Sequence, residues 1–352
     1  MANWRELAID AGMSLFRASG AHRLAEPYTR GLGAILTFHR VRHRLQQRFE
    51  PNRGLEISIG FFDALLKHLR RRGFRILSLD AALAELFDAP NLAEPFVALT
   101  FDDGYRDLLE HALPVLERHR APFTSFVTTG FADHDARLWW VEMEESIRRL
   151  DRVEFGVEGL RVAAACASPQ DKARAFAELY WLLRDGPEEL LLRATHALSE
   201  RAGVAPRQVT SELCLGWREL EALARHELCT IGAHGVSHMR LAKLDAAAAR
   251  REMAESRATL ERALNVEARH LCYPVGDATS AGKREFELAR KLGFASAVTT
   301  RPGMIFPAHR ETPHALPRLS INGRHQTLEA VDILLSGAPF ALMNGGRRVR
   351  AA

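Results

Sequence analysis

Short apolar runs rich in β-branched and aromatic residues alternate with longer amphipathic segments through most of this chain, and few folds accommodate that order. The short runs are Ala34 to His39, Phe96 to Phe101, Phe123 to Thr128, Cys229 to Ala233, Leu271 to Tyr273, Ala295 to Val298 and Leu316 to Ser320. Helical periodicity is clearest over Ile59 to Arg72, Ala81 to Phe87, Arg106 to Arg120, Asp245 to Leu264 and Lys283 to Leu292, with Pro114 expected to interrupt the third. Parallel strands need a long crossover connection and a helix supplies it, so the alternation predicts an α/β protein with a parallel sheet or barrel inside and helices outside. At 352 residues, one barrel with insertions is the expected size.

Three stretches break the rhythm. Trp139 to about Ala202 reads as several helices, one opened by Ser168 as cap with Pro169 in the first turn and Asp171 three residues after the cap, and another running from Glu188 to Arg201 behind Pro187. This predicts a helical insertion over 139–202 that could roof a groove, with Trp139, Trp140 and Trp217 either stacking on a ligand at its rim or, as is commoner, packing its base onto the barrel. Residues 1–30 read as an N-terminal helical extension, in which Leu7, Ala8, Ala11, Leu15 and Phe16 share a face that packs on the core or touches a membrane surface. Residues 337–352 lose the pattern and are expected to form a loose tail, which leaves the barrel to 31–336.

Composition excludes several function classes. Hydrophobic residues at 47% and charged residues at 26% are those of an ordinary globular protein. The net charge of +4 is small, and Arg347-Arg348-Val349-Arg350 is its one basic cluster, without stacking aromatics, so no nucleic-acid partner is expected. Cys166, Cys214, Cys229 and Cys272 have neither CxxC spacing nor close pairing, which suggests free thiols in a reducing compartment. Charged residues stand near the N-terminus where a signal peptide has its apolar core, and no apolar run is long enough to span a bilayer. The expected location is the cytoplasm, with no transmembrane segment.

The residues that carry chemistry stand at strand ends. Leu99-Thr100-Phe101-Asp102-Asp103-Gly104-Tyr105 is an apolar strand that ends in two adjacent carboxylates and a glycine. The carboxyl end of barrel strands is where active sites gather, and of two adjacent carboxylates one can bind a metal while the other takes a proton from water. A surface turn would use the same residues. His234-Gly235-Val236-Ser237-His238 follows another strand and sets two imidazoles four apart, where they can converge on one cation. A third segment, Cys272-Tyr273-Pro274-Val275-Gly276-Asp277, has the proline and glycine of a tight loop that could aim a backbone N–H at an oxyanion. One Asp with two His leaves metal positions open for water and substrate, as catalytic sites require.

The ordered set TFDDGY, HGVSH, CYPVGD and LPRLSI, spread over Ala34 to Ile321, resembles the polysaccharide deacetylase family, the NodB-homology group of carbohydrate esterases. The resemblance implies a distorted (β/α) barrel of about seven strands. It implies Asp102 as catalytic base, Asp103, His234 and His238 as metal ligands, and the Val275 N–H as oxyanion donor. His39, within Leu36-Thr37-Phe38-His39-Arg40-Val41, is similar to a Tyr-His segment that opens the barrel in this branch and is expected to line the pocket with Tyr273, Val275 and Gly276. Many members hold the base with an arginine in the third motif. Here Cys272 takes that place, and Arg318 is expected to supply the guanidinium from a neighbouring strand. His309, His314 and His325 lie where relatives carry the histidine that protonates the leaving amine, and the sequence does not select one.

The function implied is metal-dependent removal of N-acetyl groups from N-acetylated amino sugars: chitooligosaccharides, or polysaccharide or glycolipid precursors. Zn2+ suits the histidines, and Co2+, Ni2+ or Fe2+ also accept two His and one carboxylate. A hydrolase of another non-peptide amide, and a sugar-binding relative without turnover, share the same barrel.

Overall fold

The computed structural model describes residues 4–43, 47–88 and 90–346, the side chains of residues 4–11 excepted. The strands are β1 Gly33–Phe38, β2 Arg40–Arg42, β3 Glu56–Ser58, β4 Arg75–Leu77, β5 Phe96–Phe101, β6 Phe123–Val127, β7 Arg152–Val157, β8 Leu160–Ala165, β9 Cys229–Ala233, β10 His270–Cys272, β11 Ser296–Pro302 and β12 Leu316–Ser320. Seven of them, β1, β12, β11, β10, β9, β6 and β5, pair in that order, all in parallel, and β5 returns to β1 to close a barrel. These are the seven runs picked out by sequence. The short β4 adds to the N-terminal half of β5.

The period-two alternation of strands sorts each side chain. Ala34, Leu36 and Phe38 of β1 join Phe62, Leu65 and Leu66 in the layer between barrel and helices, while Ile35 joins Ala98, Phe126, Cys272, Val298 and Leu316 in a second cluster inside the barrel. Extending the inward phase along each strand gives Thr37 and His39, Thr100 and Asp102, and Arg318. Phe38 lies opposite Phe101 and Val127 opposite Ala233, so the residues that follow these strands emerge at one mouth.

Between β6 and β9 the insertion forms its own core from Trp139, Met143, Ile147, Val153, Phe176, Leu179, Leu191 and Leu198. It is not wholly helical. β7 and β8 pair as an antiparallel hairpin, and Glu158 and Gly159 at its tip both take positive φ (49° and 83°), as a two-residue turn requires. The helix Pro169–Asp185 starts with the capping box formed by Ser168 and Asp171, and a second helix spans Glu188–Ala202.

Two further expectations change. The segment expected as one helix over Arg106 to Arg120 is a wide π-helical turn, Leu108–Ala112, then a helix Leu113–Arg118, because Pro114 has no N–H for the continuous ladder. Residues 338–343, expected in a loose tail, form the helix Ala338–Met343, and the basic cluster Arg347 to Arg350 lies outside the described residues. Two helices, Trp4–Ser19 and Ala21–Thr29, precede β1; Met13 and Phe16 pack on Ala330 and Ile333 of the helix Leu328–Leu335, so part of the amphipathic face is spent on the core. Among the described residues, no helix is long and apolar enough to cross a membrane.

Candidate metal centre and its arginine-held carboxylate

Asp102 continues the inward phase of β5 and Arg318 that of β12, and the two meet in the barrel mouth. Arg318 donates from Nη1 to Asp102 Oδ1 (2.8 Å) and from Nη2 to Oδ2 (2.7 Å), the two-pronged geometry that a guanidinium fork favours. Its remaining donors go to Thr299 O (2.9 Å), Thr100 Oγ1 (3.0 Å) and Cys272 Sγ (3.0 Å). Asp102 is 2% exposed and Arg318 1%. Burial alone would raise the Asp102 carboxyl, but the charge and hydrogen bonds of Arg318 hold it below the usual carboxylate range.

Asp103 turns away from its neighbour at φ 73°, a left-handed conformation followed by Gly104 at φ 74°. Its Oδ1 stands 3.3 Å from His234 Nε2 and 3.2 Å from His238 Nε2. His234 follows β9, and its Nδ1 lies 2.8 Å from the Cys272 carbonyl. That carbonyl only accepts, so the proton sits on Nδ1 and the Nε2 lone pair points inward. The turn to His238 is organised by Glu252 of the helix Ala246–Leu264, whose Oε2 accepts from the N–H groups of Val236 (2.8 Å) and Ser237 (3.0 Å) while Oε1 accepts from Ser237 Oγ (2.6 Å). His238 is itself left-handed at φ 57°. Phe131 stacks on its ring at 5.7 Å between centroids, and Trp140 of the insertion stands 5.0 Å from it.

Among the described residues, two sets of side chains could hold a metal ion: Asp103, His234 and His238, or Asp102, His234 and Cys272, each with ligand atoms within 4.8 Å of one another. The first set fits. Asp103 Oδ1 is buried between two imidazole nitrogens without a hydrogen-bond partner, an acceptor that an ion would satisfy. The second set does not. Both oxygens of Asp102 and the sulfur of Cys272 face the Arg318 guanidinium, whose positive charge opposes a cation there.

The other expected site residues divide. His39 follows β1 beside Asp102, within electrostatic reach of both carboxylates; burial lowers its pKa more than they raise it. Val275 is left-handed at φ 62°, a costly conformation for a β-branched residue. Among the described residues its N–H donates to no backbone carbonyl. Tyr273, expected in the pocket, is in the core instead: its phase is opposite to that of Cys272, its hydroxyl donates to His314 O (2.8 Å) and its ring packs against Phe286. Gly276 is required by the turn, for at φ 66° a Cβ there would lie 2.9 Å from Thr300 N and Tyr273 O. His309 and His314 are spent on the backbone of Phe306 and Phe294. The tryptophans are occupied too. Trp139 and Trp140 are buried, and Trp217 donates to Asp133 Oδ1 (2.7 Å). Sequence reasoning missed Glu252, Phe131 and Trp140 as neighbours of the histidines.

Comparison with known proteins agrees with this architecture. The sequence matches the family "Polysaccharide deacetylase" over residues 89–165 and 180–297, more than half of the chain, with Arg318 outside the matched part. None of the curated protein sequences matches significantly. Among solved structures, the chain is similar to the Streptococcus pyogenes deacetylase PplD in complex with acetate (TM-score 0.57, 18% identity, 86% of this chain and 96% of that one). It is also similar to IcaB from Ammonifex degensii (0.54, 19%, 86% and 96%) and to a de-N-acetylase from Aggregatibacter actinomycetemcomitans (0.52, 13%, 85% and 98%). At these identities the structures establish the shared barrel, and the sequence match establishes the kinship. The chain belongs to the polysaccharide deacetylase family.

Proposed function

We propose that the protein is a metal-dependent amide hydrolase that removes N-acetyl groups from N-acetylated amino sugars, with chitooligosaccharides and polysaccharide or glycolipid precursors as its substrate class. The observation that carries this reading is one barrel mouth with two carboxylates in different surroundings, Asp103 facing two imidazoles and Asp102 held by Arg318. Asp103, His234 and His238 would hold the ion, with Zn2+ the first choice for this ligand set. When bound, a divalent ion supplies Lewis acidity toward the acetamide carbonyl and a water whose pKa is lowered toward about 7.

The chain's own residues do the rest. Arg318 keeps Asp102 ionised and in one orientation, so its free lone pairs can accept the proton of the attacking water. The Val275 N–H is the donor for the oxygen that becomes negative at the tetrahedral stage, and the strained loop holds it in place before substrate arrives. His39 contacts the sugar beside the reacting acetamide. The free thiols of Cys166, Cys214, Cys229 and Cys272 agree with a cytoplasmic setting.

Acetate release from N-acetylglucosamine oligomers by zinc-loaded protein tests the reading. Release that falls by roughly 10²-fold or more in Asp102→Asn, as loss of a general base demands, is the expected result. Protein that carries zinc yet frees no acetate from any oligomer would sink the substrate assignment.

A further inference from the structure

The turn that joins the Pro169–Asp185 and Glu188–Ala202 helices of the insertion is bonded to two of the loops that carry the candidate site. Arg240, two residues beyond His238 and 4% exposed, spends its whole guanidinium there: Nε donates to Glu188 Oε1, Nη1 to Arg184 O and Nη2 to Gly186 O (3.2 Å). Arg184 then reaches the other loop, donating from Nη2 to Asp277 Oδ2 (2.6 Å), two residues beyond Val275. Asp277 ties its own loop through Oδ1, which accepts from Thr279 N (3.0 Å), Thr279 Oγ1 (2.8 Å) and Ser280 Oγ (2.7 Å). The two loops also meet directly, through Ala242 N to Ser280 O (2.9 Å). Arg184 is therefore the hub of a three-way junction, with its carbonyl on the histidine loop and its side chain on the Val275 loop.

This junction has work to do. His238 and Val275 both stand at positive φ, 57° and 62°, which side chains other than glycine adopt only when their surroundings over-determine them. An isolated surface ion pair would not suffice, but Arg240 is buried with three hydrogen bonds, and Arg184 is further pinned by Tyr180 OH (2.7 Å) and lies over the Tyr180 and Trp181 rings.

We infer that the insertion is a brace that fixes the His238 and Val275 loops in register, with Arg184, Arg240 and Asp277 as its positioning residues. The inference rests on the deacetylase reading above for its catalytic consequence, though not for the brace itself. Arg184→Ala, Arg184→Lys, Asp277→Asn and the Arg184→Ala/Asp277→Asn double variant test it, by steady-state acetate release and by amide hydrogen exchange of the zinc-loaded protein. Asp277→Asn keeps an Oδ1 acceptor for Thr279 and Ser280 while removing the charge that Arg184 holds.

Expected in Arg184→Ala and Asp277→Asn are a kcat lower by about 10- to 100-fold with KM within about threefold, the scale on which misplacing a reacting group acts. The double variant should be no worse than either single one, Arg184→Lys should regain most of the loss, and exchange should quicken over 235–242 and 275–280 with the barrel strands unchanged. A kcat within about twofold of the unaltered protein, a change confined to KM, or exchange that quickens throughout the barrel would overturn the brace. If the unaltered protein releases no acetate, the deacetylase reading fails and exchange alone decides. Acceleration confined to the two loops then upholds the brace, and unchanged loops refute it; Asp277→Asn serves where Arg184→Ala does not fold.

Discussion

Replacing Arg318 with methionine would strip Asp102 of its cation inside the barrel, where the carboxylate is 2% exposed and too little solvent reaches it to compensate. Removing one partner of a buried ion pair costs about 3–5 kcal/mol, because the remaining charge is uncompensated. The bonds to Thr299, Thr100 and Cys272 disappear as well, but they share the same side chain, so Arg318→Met is expected to lose about 4 kcal/mol in all. Asp102→Asn alone strands the guanidinium and destabilises in the same direction. The double variant, with neither charge of the pair left, should cost less than the sum of the two by about 2 kcal/mol or more, the signature of directly coupled residues. Because Arg318 lowers the Asp102 pKa below its unfolded value, the pair's contribution is fully present above about pH 4 and is lost only as pH falls below that. Urea unfolding of the three variants and the unaltered chain at pH 7.5, all without metal, measures the coupling. Additive costs to within about 0.5 kcal/mol, or an Arg318→Met loss under about 1 kcal/mol, would refute the argument that this pair is closed and buried.

Other expectations are more local. Val275→Gly relieves a left-handed β-branched residue, so stability should not fall and acetate release should stay within about threefold, since the proposed contact is a backbone N–H; a larger loss of release would assign the side chain a role. Glu144, half-buried beside Asn52 and Arg148, has its carboxyl pushed up to about 6 by desolvation. An acid whose folded pKa is raised stabilises below the unfolded value and loses that contribution as pH rises to the folded one, so the stability of Glu144→Gln relative to the unaltered chain should gain about 2 kcal/mol from pH 4.5 to 7, read by urea unfolding. A pH-independent difference would mean that burial does not govern this carboxyl.

Strand runs and motifs were legible in sequence because each is short and local. All seven barrel strands carry apolar runs, and Asp102-Asp103 and His234 to His238 are contiguous segments whose placement at strand ends follows from the runs before them. Arg318 could be anticipated because Cys272 left Asp102 without its usual partner. The misses have physical causes. Tyr273 directly follows Cys272, the last residue of β10, and a change of one residue in phase reverses the face. The hairpin of β7 and β8 hid behind Ala163-Ala164-Ala165, which read as helix, while the positive-φ turn at Glu158-Gly159 that makes it a hairpin carries only half of the usual glycine or asparagine signal. Glu252 lies 16 residues beyond Val236 on the next α-helix, past the span of any turn motif, and Arg184 is 93 residues from Asp277; no local pattern announces such contacts.

The central claim is that Asp103, His234 and His238 hold a catalytic metal while Asp102, held by Arg318, does not. Metal content after chelation and reloading with one equivalent of Zn2+, measured for the unaltered chain, Asp102→Asn, Asp103→Asn, His238→Ala and Cys272→Ala, tests this most directly. Zinc is expected to stay with the unaltered chain, Asp102→Asn and Cys272→Ala, and to be lost from Asp103→Asn and His238→Ala. Zinc that stays with Asp103→Asn and His238→Ala but leaves Cys272→Ala and Asp102→Asn would put the ion on the other side of His234 and contradict the account.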